Sequence, residues 1–455
     1  MNKVWAIAMI ALRSAVRSKV VICLMLLLLV TIIGIPLTVK GDGSPESKVQ
    51  VLVSYTLAFS QIILAIVTLW SGCAAVSTEV EDCRIHLVVT KPVRRAQIWL
   101  GKWLGLLVMN AVALLLTGVA VYSLLEYQTR ASEWGEDEYA RLQEEVLVAR
   151  RLVPAEMPPV DRAATLHLRE LIASGRLEPG KSPEAALAAI RQRMLIQTNS
   201  VEYGATRSWS ITLPTRPPAD RKVFLQYKYQ LGSLVQEPVS GMWFLGNNKD
   251  ARQIMIPLQQ GPGTHSLAIP QEIVGEDLEI IVSYANIHPN PTTVLFDVDE
   301  GVQILYFQDP FVTNLCRTLL IQFFQLALYA ALGLTMGTLF SMPVAAFTSI
   351  FIIILQLFSG FIERITQDAA ADGLIVDPER ALTIVEQLTM FIYKGVHLLL
   401  KPLSTNNPLE LLSSGVVVGW DIVAAEFLVK IVMYTGIIGG MGVLLFNRRE
   451  LGIPA

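Results

Sequence analysis

Charged residues are scarce in this chain, and cysteines and histidines are few and scattered. Only 16% of the 455 residues are charged and 53% are hydrophobic, whereas about a quarter are charged in an ordinary soluble protein. The 4 cysteines include no C-x-x-C pair, so neither a disulfide framework nor a zinc site can be read from them. The near-neutral net charge of -3 offers no nucleic-acid surface. We expect no metal and no cofactor on this chain, and the composition indicates a membrane protein.

Long uncharged runs agree with the shortage of charge. Residues 20–39 form the first run, with about 20 apolar residues, enough to cross roughly 30 Å of hydrocarbon and too many for a cleaved signal peptide. Similar runs recur along the chain. Together they predict six transmembrane helices, at residues 20–39, 51–76, 99–125, 311–340, 342–362 and about 422–446.

Lysine and arginine close to these runs predict the orientation. They cluster before the first span, between the second and third, and after the sixth: Lys3, Arg13, Arg17 and Lys19; Arg84, Lys91, Arg94, Arg95 and Lys102; Arg448 and Arg449. Because short cytoplasmic segments are enriched in positive charge, we expect both termini to be cytoplasmic. The two long connections, residues 126–310 and 363–421, then lie outside.

Two segments have the pattern of interfacial helices. Near the N-terminus, Trp5, Met9, Leu12 and Val16 recur at helical spacing with basic residues on another face, which predicts a helix lying in the cytoplasmic interface. The alternative is that the first span simply begins early. Residues 386–403 are apolar but are interrupted by Lys394, His397 and Lys401, so within 363–421 we expect an outer interfacial or re-entrant helix and not a seventh span.

The longer connection, residues 126–310, is polar and predicts an extracytoplasmic α+β domain. Its helical periodicity covers residues 132–195, and short alternating segments from 196 to 308 predict an antiparallel β-sandwich. Exposed aromatics in such a domain can bind sugar, and the candidates are Trp209, Tyr227, Tyr229 and Trp243. Aromatic residues in strands more often fill the core. The fold predicted overall is an α-helical integral membrane protein of six spans with this domain inserted between residues 1–125 and 311–455.

One stretch of the domain, Gly175 to Ser182, "GRLEPGKS", matches the P-loop pattern G-x-x-x-x-G-K-[ST]. A P-loop follows an apolar strand, whereas "LHLRELIAS" before Gly175 has the pattern of an amphipathic helix. Gly175 suits a helix end, Pro179-Gly180 a turn, and Ser182 and Pro183 a helix start. We therefore predict no nucleotide site here.

The loop from Thr78 to Trp103, "TEVEDCRIHLVVTKPVRRAQIWLGKW", carries the pattern most informative about function. It has an acidic start, a proline and arginine centre, and a Gly-Lys pair where the third span begins: Glu79, Glu81, Asp82 and Arg84; Pro92, Arg94 and Arg95; Gly101 and Lys102. Charged residues on a short helix can dock in a cleft of a soluble partner, with charge pairing setting the register. The alternative for the basic residues is that they only anchor the spans.

These features resemble the loop between the second and third spans of ABC-2-type transporter permeases, and the interfacial helix, the six spans and the C-terminal "FNRREL" are also similar to that family. Within the family the pattern is similar to the membrane subunit of the nitrous-oxide-reductase maturation transporter. The resemblance covers the membrane part and leaves the external domain aside. It implies a non-catalytic permease subunit in a bacterial inner membrane.

The resemblance also implies what this subunit works with. Residues 78–98 would hold a coupling helix, and ATP and Mg would be bound by two copies of a separate ABC ATPase. A second permease chain would complete the transporter, with a homodimer the expected arrangement and export the expected direction. Glu79, Glu81, Asp82 and Arg84 are the first candidates for the ATPase contact, followed by Arg94 and Arg95.

Ionisable and small residues within the spans are the remaining candidates. Glu426 and Lys430 are four residues apart in the sixth span, near Asp421, and either line a substrate route or a subunit interface, or form a mutually neutralised pair. Pairs of glycines predict close helix packing in the fourth and sixth spans: Gly333 and Gly337; Gly436 and Gly440.

A different class of function is a membrane-anchored extracytoplasmic binding or sensing protein, with carbohydrate as one candidate ligand, whose spans transmit a signal without transporting a substrate. The acidic, proline-centred loop favours the permease, because a mere anchor has no need of it. An intramembrane enzyme has no support, since no H-E-x-x-H motif, paired intramembrane aspartates or Ser/His arrangement occurs.

Overall fold

The structure is a computed structural model that describes residues 3–38, 45–81, 93–131, 135–157, 159–176, 183–232, 239–246, 252–259, 263–275, 277–287, 292–298, 300–371 and 408–448. The chain divides into two compact units. The first combines Met1–Ala149 with Pro310–Ile375 and Leu382–Ala455, and the second is built from Arg150–Asp309.

The first unit is a bundle of apolar helices. In chain order its helices are α1 (Lys3–Arg17), α2 (Lys19–Thr38), α3 (Pro45–Glu81), α4 (Arg95–Ala131), α5 (Glu136–Glu145), α8 (Phe311–Leu339), α9 (Met342–Ala371), α10 (Pro408–Ser413), α11 (Trp420–Glu426) and α12 (Gly436–Arg448). The second unit contains the other two helices, α6 (Asp161–Ala173) and α7 (Pro183–Thr198). A π-helix, Phe427–Thr435, joins α11 to α12.

Four to five of these helices can cross a membrane by length and composition. Four qualify alone: Pro45–Glu81, Arg95–Arg130, Phe311–Leu339 and Trp420–Arg448. The helices α1 and α2 qualify only as a pair, with a bend of 69° between them. The described apolar part of α9, Met342–Gln356, is shorter than a span. The structure therefore supports a membrane-helical bundle, and the sixth span stays a prediction.

Two glycines of α8 allow it to pack closely against α3. A Cβ on Gly333 would lie 2.9 Å from the backbone oxygen of Leu69, and one on Gly337 would lie 2.6 Å from that of Cys73. Both positions face backbone atoms, which cannot move aside as a flexible side chain can. The absence of a side chain thus sets the helix separation in the fourth span, as small residues do in membrane helix pairs.

In the last span the close packing falls on different glycines from those predicted. Gly436 and Gly440 have no other atoms within 4 Å of a built Cβ, whereas a Cβ on Gly439 would lie 2.7 Å from the Trp99 ring, and one on Gly442 would lie 2.6 Å from Thr335 Oγ1. Within the described chain the packing face is therefore Gly439 and Gly442.

The second unit is rich in antiparallel strands. They are β1 (Val148–Pro154), β2 (Ser200–Val201), β3 (Thr206–Thr212), β4 (Val223–Leu231), β5 (Val239–Leu245), β6 (Arg252–Gln259), β7 (Gly263–Ile269), β8 (Glu279–Asn286), β9 (Val294–Phe296) and β10 (Val302–Pro310). One sheet has the order β1-β10-β4-β9-β2, with β7 also paired to β4, and the other has the order β3-β8-β5-β6.

Aromatic side chains from both sheets meet in one hydrophobic cluster. The Tyr227 ring of β4 lies 4.8 Å from the Trp243 ring of β5, between centroids. Burial in this cluster raises the pKa of the Tyr284 phenol, because the charged form loses its water. The four aromatics considered as sugar contacts, Trp209, Tyr227, Tyr229 and Trp243, are all buried in this core. They are not available to bind a carbohydrate.

The helical part of the predicted external domain is interrupted by a strand. Helical periodicity extended across "EDEYARLQEEVLVARRL", but α5 ends at Glu145 and β1 begins at Val148. β1 lies beside β10, so pairing with the sheet overrides the local pattern. Leu142 of α5 packs in a cluster with Val53 of α3 and Val121 of α4. For this reason the second compact unit begins at Arg150, later than the boundary of 126 drawn from composition.

The described part of the P-loop-like stretch is a helix end. Ser174 caps α6, and Gly175 takes a left-handed φ of 66°. The N–H of Gly175 donates to Ile172 O and that of Arg176 to Leu171 O, the hydrogen-bond pair of a Schellman motif. Downstream, α7 begins at Pro183, and residues 177–182 lie outside the described chain. The preceding element is a helix, so the strand that a P-loop requires is not there.

We expect Lys181→Ala to leave nucleotide binding by the purified chain unchanged, at the background level of the native sequence. The reason is that the helix end before it cannot present backbone N–H groups to phosphates as a P-loop does. Titration with a fluorescent ATP analogue in the presence of Mg measures this. Saturable binding that Lys181→Ala removes would contradict the prediction.

Candidate functional site

Residues on both sides of loop 82–92 form the candidate site. We call Glu79, Glu81, Arg95 and Lys102 the loop-end cluster, because these residues flank the loop on α3 and α4. Asp82, Arg84 and Pro92, which the sequence also singles out, lie outside the described residues. Glu79 and Lys102 contact each other, and Glu81 and Arg95 each contact another helix of the first unit.

Lys102 and Glu79 join the beginning of α4 to the end of α3. The Lys102 ammonium donates to Glu79 Oε2 at 2.5 Å and to the backbone oxygen of Ala75. The Lys102 side chain is 5% exposed and that of Glu79 is 30% exposed. A lysine this deeply buried needs a charged partner, and Glu79 provides it. The pair therefore fixes the distance between the two ends of the loop.

Glu81 binds the first turn of α9. Its Oε1 accepts a hydrogen bond from the backbone N–H of Met342 at 2.9 Å. The first N–H groups of a helix have no partners within the helix, and the N-terminus carries partial positive charge, so a carboxylate stabilises it. Glu81 thus links the end of α3 to the start of α9.

Arg95 binds the C-terminal end of a helix, whereas Glu81 binds an N-terminal end. Its guanidinium donates to the backbone oxygen of Phe446 in the last turn of α12 and lies 5.6 Å from the centroid of the Phe446 ring. A cation is favourable there because the final carbonyls are unpaired and carry partial negative charge. The backbone N–H of the neighbouring Arg94 donates to Gln97 Oε1 at 3.1 Å, and Arg94 is exposed.

The Gly-Lys pair at the start of the third span has two separate structural roles. While Lys102 turns toward α3, Gly101 faces α1, where a Cβ would lie 2.8 Å from the Ile7 side chain and 2.9 Å from the backbone oxygen of Val4. Gly101 therefore lets the amphipathic helix α1 cross α4 closely.

The loop-end contacts give the residues singled out in the sequence partners within this chain, and their contact with a soluble partner stays a prediction. Glu79 and Glu81 were the first candidates for contact with a soluble partner, yet both carboxylates bind groups of this chain. Arg95 is likewise engaged with α12. Of the described candidates, Arg94 and Glu81 are exposed, and Glu79 and Arg95 are partly buried.

The ionisable residues of the last span form a buried ion pair. Lys430 Nζ lies 3.0 Å from Glu426 Oε2, and the two side chains are 1% and 9% exposed. Asp421, in contrast, is exposed in the first turn of α11. The pair lies at the junction with the π-helix, where the regular helix geometry changes. This arrangement agrees with the mutually neutralised pair.

Sequence reasoning missed a polar clamp between α8 and the segment before the last span. Asn314 donates to Val416 O at 2.8 Å and accepts from the Val418 N–H at 2.7 Å. Arg317 donates to Val418 O and places its guanidinium 5.0 Å from the centroid of the Trp420 ring. Within a span, such backbone groups need partners from the protein. The available signal was two polar residues three apart near the start of an apolar run.

Comparison with known families identifies the part of the chain that holds this site. Residues 5–136 match the family model described as ABC-2 family transporter protein. The match includes α1 to α4, loop 82–92 and the loop-end cluster, whereas the β-rich unit lies outside it. No curated protein is significantly similar to the chain. The family match confirms the resemblance to ABC-2-type permeases and supports a permease role.

Proposed function

We propose that this chain, whose residues 5–136 match the ABC-2 transporter family, is the membrane subunit of an ABC transporter driven by a separate ATPase. ATP and Mg would be bound by that partner, and loop 82–92 would receive its movement. The chain itself would carry no catalytic residue. The family match is the basis of this proposal, and the contacts at the loop ends supply its mechanism.

The observation that carries the mechanism is the connection of both loop ends to the rest of the bundle. The Lys102–Glu79 pair holds α3 and α4 together, Glu81 binds the start of α9, and Arg95 binds the end of α12. A displacement of the loop is therefore transmitted to four helices and not absorbed by one. Such rigid attachments are what a helix shift driven by a soluble domain requires.

Charge on the loop supplies the contact with the ATPase. Asp82, Arg84 and Arg94 are the candidates left once the loop-end cluster is engaged within the chain. Opposite charges on a partner surface would orient docking and exclude incorrect registers. Pro92 lies just before the Arg94–Arg95 pair and would restrict the local backbone.

The orientation and assembly follow from the same proposal. Both termini and loop 82–92 would lie in the cytoplasm, in a bacterial inner membrane, with the β-rich unit outside. Two ATPase copies and a second permease chain would complete an exporter, and Gly436 and Gly440, where no atom of the described residues lies within 4 Å of a Cβ, are candidates for packing between permeases. The shared aromatic core of the two sheets supports a β-sandwich for the external unit.

Replacing residues 82–92 with a Gly/Ser linker of equal length should abolish capture of an ABC ATPase. A milder variant, Asp82→Lys/Arg84→Glu, should weaken it, because it inverts the charges that would set the register. Affinity purification of the intact chain from its native membrane, followed by mass spectrometry and an ATP hydrolysis assay, measures both effects.

The matched control is Asp161→Lys/Arg191→Glu, which inverts an exposed ion pair of the β-rich unit and should capture the ATPase as well as the native chain. Thermal unfolding of each purified variant separates loss of binding from loss of folding. Equal ATPase capture by the linker variant and the native chain would refute the proposed coupling loop.

A further inference from the structure

A cavity between α1, α3 and α4 lies beside the Lys102–Glu79 pair, and the coupling described above assigns nothing to it. Its volume is about 640 Å³, and each of the three helices lines it with one face. From α1 come Ile10, Arg13 and Arg17, and from α3 come Trp70 and Ser71. The α4 wall carries Leu106 and also Lys102, whose pair with Glu79 forms the boundary nearest the loop.

The cavity wall carries positive charge that no described residue neutralises. Arg13 and Arg17 lie one helical turn apart on the same face of α1 and both line the cavity. Neither guanidinium forms an ion pair within the described part of the chain. Lys102 adds no net charge, because Glu79 neutralises it. Two adjacent guanidinium groups suit a phosphate, which they can bind through several charge-assisted hydrogen bonds.

A buried hydroxyl group in the same wall also lacks a partner. Ser71 is 5% exposed, and its Oγ has no hydrogen-bond partner among the described residues. A buried hydroxyl group without a partner is destabilising, so a ligand oxygen that accepts its hydrogen bond would be favoured. Ser14 and Ser18 of α1 line the cavity as well and add further hydroxyl donors. The polar part of the wall is thus built to bind an acceptor-rich anion.

The remaining wall is apolar, as the binding site of an amphiphile requires. Ile10, Trp70 and Leu106 contribute hydrocarbon and indole surface next to the two arginines. The cavity also borders Ser18, where α1 and α2 meet at 69°. Trp5 and Val16 of α1 are exposed, as expected of a helix in the membrane interface, where lipid headgroups lie.

We propose that this cavity binds an anionic phospholipid. Its phosphate lies between Arg13 and Arg17 and accepts a hydrogen bond from Ser71, and its upper acyl carbons pack against Trp70 and Leu106. The bound lipid contacts the wall that contains the Lys102–Glu79 pair, so it braces the ends of loop 82–92. This inference concerns the chain alone and does not depend on the identity of an ATPase partner.

Lipid retention measured by native mass spectrometry tests the proposal. The delipidated full chain is titrated with dioleoylphosphatidylglycerol, with the neutral dioleoylphosphatidylcholine, and with inorganic phosphate. We expect saturable binding of phosphatidylglycerol, and a loss of affinity of about tenfold or more in Arg13→Gln/Arg17→Gln, since each basic residue near a lipid phosphate contributes appreciably. A second variant, Ala74→Phe, places a ring in the cavity and should expel the lipid without changing charge.

The matched control is Arg448→Gln/Arg449→Gln, which removes the same charge from the end of the last span and should retain native affinity. If the control pair weakened lipid binding equally, the lipid would be attracted by positive charge in general, and the proposed site would be overturned. Unchanged affinity in both cavity variants would also overturn it, as would equal retention of phosphatidylcholine. Displacement of the lipid by inorganic phosphate would assign the site to the free anion instead.

Discussion

Lys102→Met should lower the stability of the purified chain by about 3 kcal/mol, the lower end of the range for breaking a buried ion pair. The substitution keeps most of the aliphatic volume and removes the ammonium, leaving the Glu79 carboxylate beside apolar helix surface. Glu79 is 30% exposed, so water relieves part of the penalty, which places the expected effect at the low end. Unfolding by SDS titration, followed by tryptophan fluorescence, measures it.

The double variant Glu79→Gln/Lys102→Met separates the ion pair from simple packing. It should regain part of the lost stability, because neither residue is then a charge without a partner, and the two effects should not be additive. Arg94→Met is the matched control: it removes an exposed cation from the same end of α4 and should change stability by less than about 0.5 kcal/mol. If Lys102→Met were as stable as the native chain, the ion pair would not stabilise the contact between α3 and α4.

Gly337→Ala should destabilise the chain by about 1–3 kcal/mol, the range for overpacking a well-packed interior. The added methyl group would lie 2.6 Å from the backbone oxygen of Cys73, so α8 and α3 have to separate. Gly333→Ala, with 2.9 Å to the Leu69 oxygen, should have a smaller effect of the same sign. The same SDS titration gives both values.

Gly440→Ala is the matched control, since it adds the same methyl group to another glycine of a helix in the bundle. No atom of the described residues lies within 4 Å of a Cβ built there, and alanine favours the helical backbone, so the single chain should be as stable as the native one or slightly more. If Gly440→Ala were as destabilising as Gly337→Ala, the assignment of the packing glycines would be wrong. Measurement at a protein concentration low enough to keep the chain monomeric isolates the effect within one chain.

Local patterns in the sequence predict some of the site and miss the rest for identifiable reasons. The helix end at Gly175 and the helix start at Pro183 follow from residue preferences, and the structure confirms both. Glu79 and Lys102 were recognised as functional candidates, but not as partners of each other, because they are separated by 23 residues and the pairing depends on how α3 and α4 pack. The Asn314 clamp joins residues more than 100 positions apart, so its two polar residues near the start of an apolar run do not reveal their partners.

The sequence by itself determined that this is a membrane protein, that a charged loop separates two apolar helices, and that "GRLEPGKS" contains a helix end. Each of these depends on composition or on residues within about one or two helical turns. Only the tertiary structure decided that β1 is a strand, that Gly439 and Gly442 face Trp99 and Thr335, and that Glu81 and Arg95 bind the ends of other helices. Those outcomes are set by sheet pairing and helix packing, which bring together residues far apart in the chain and override local preference.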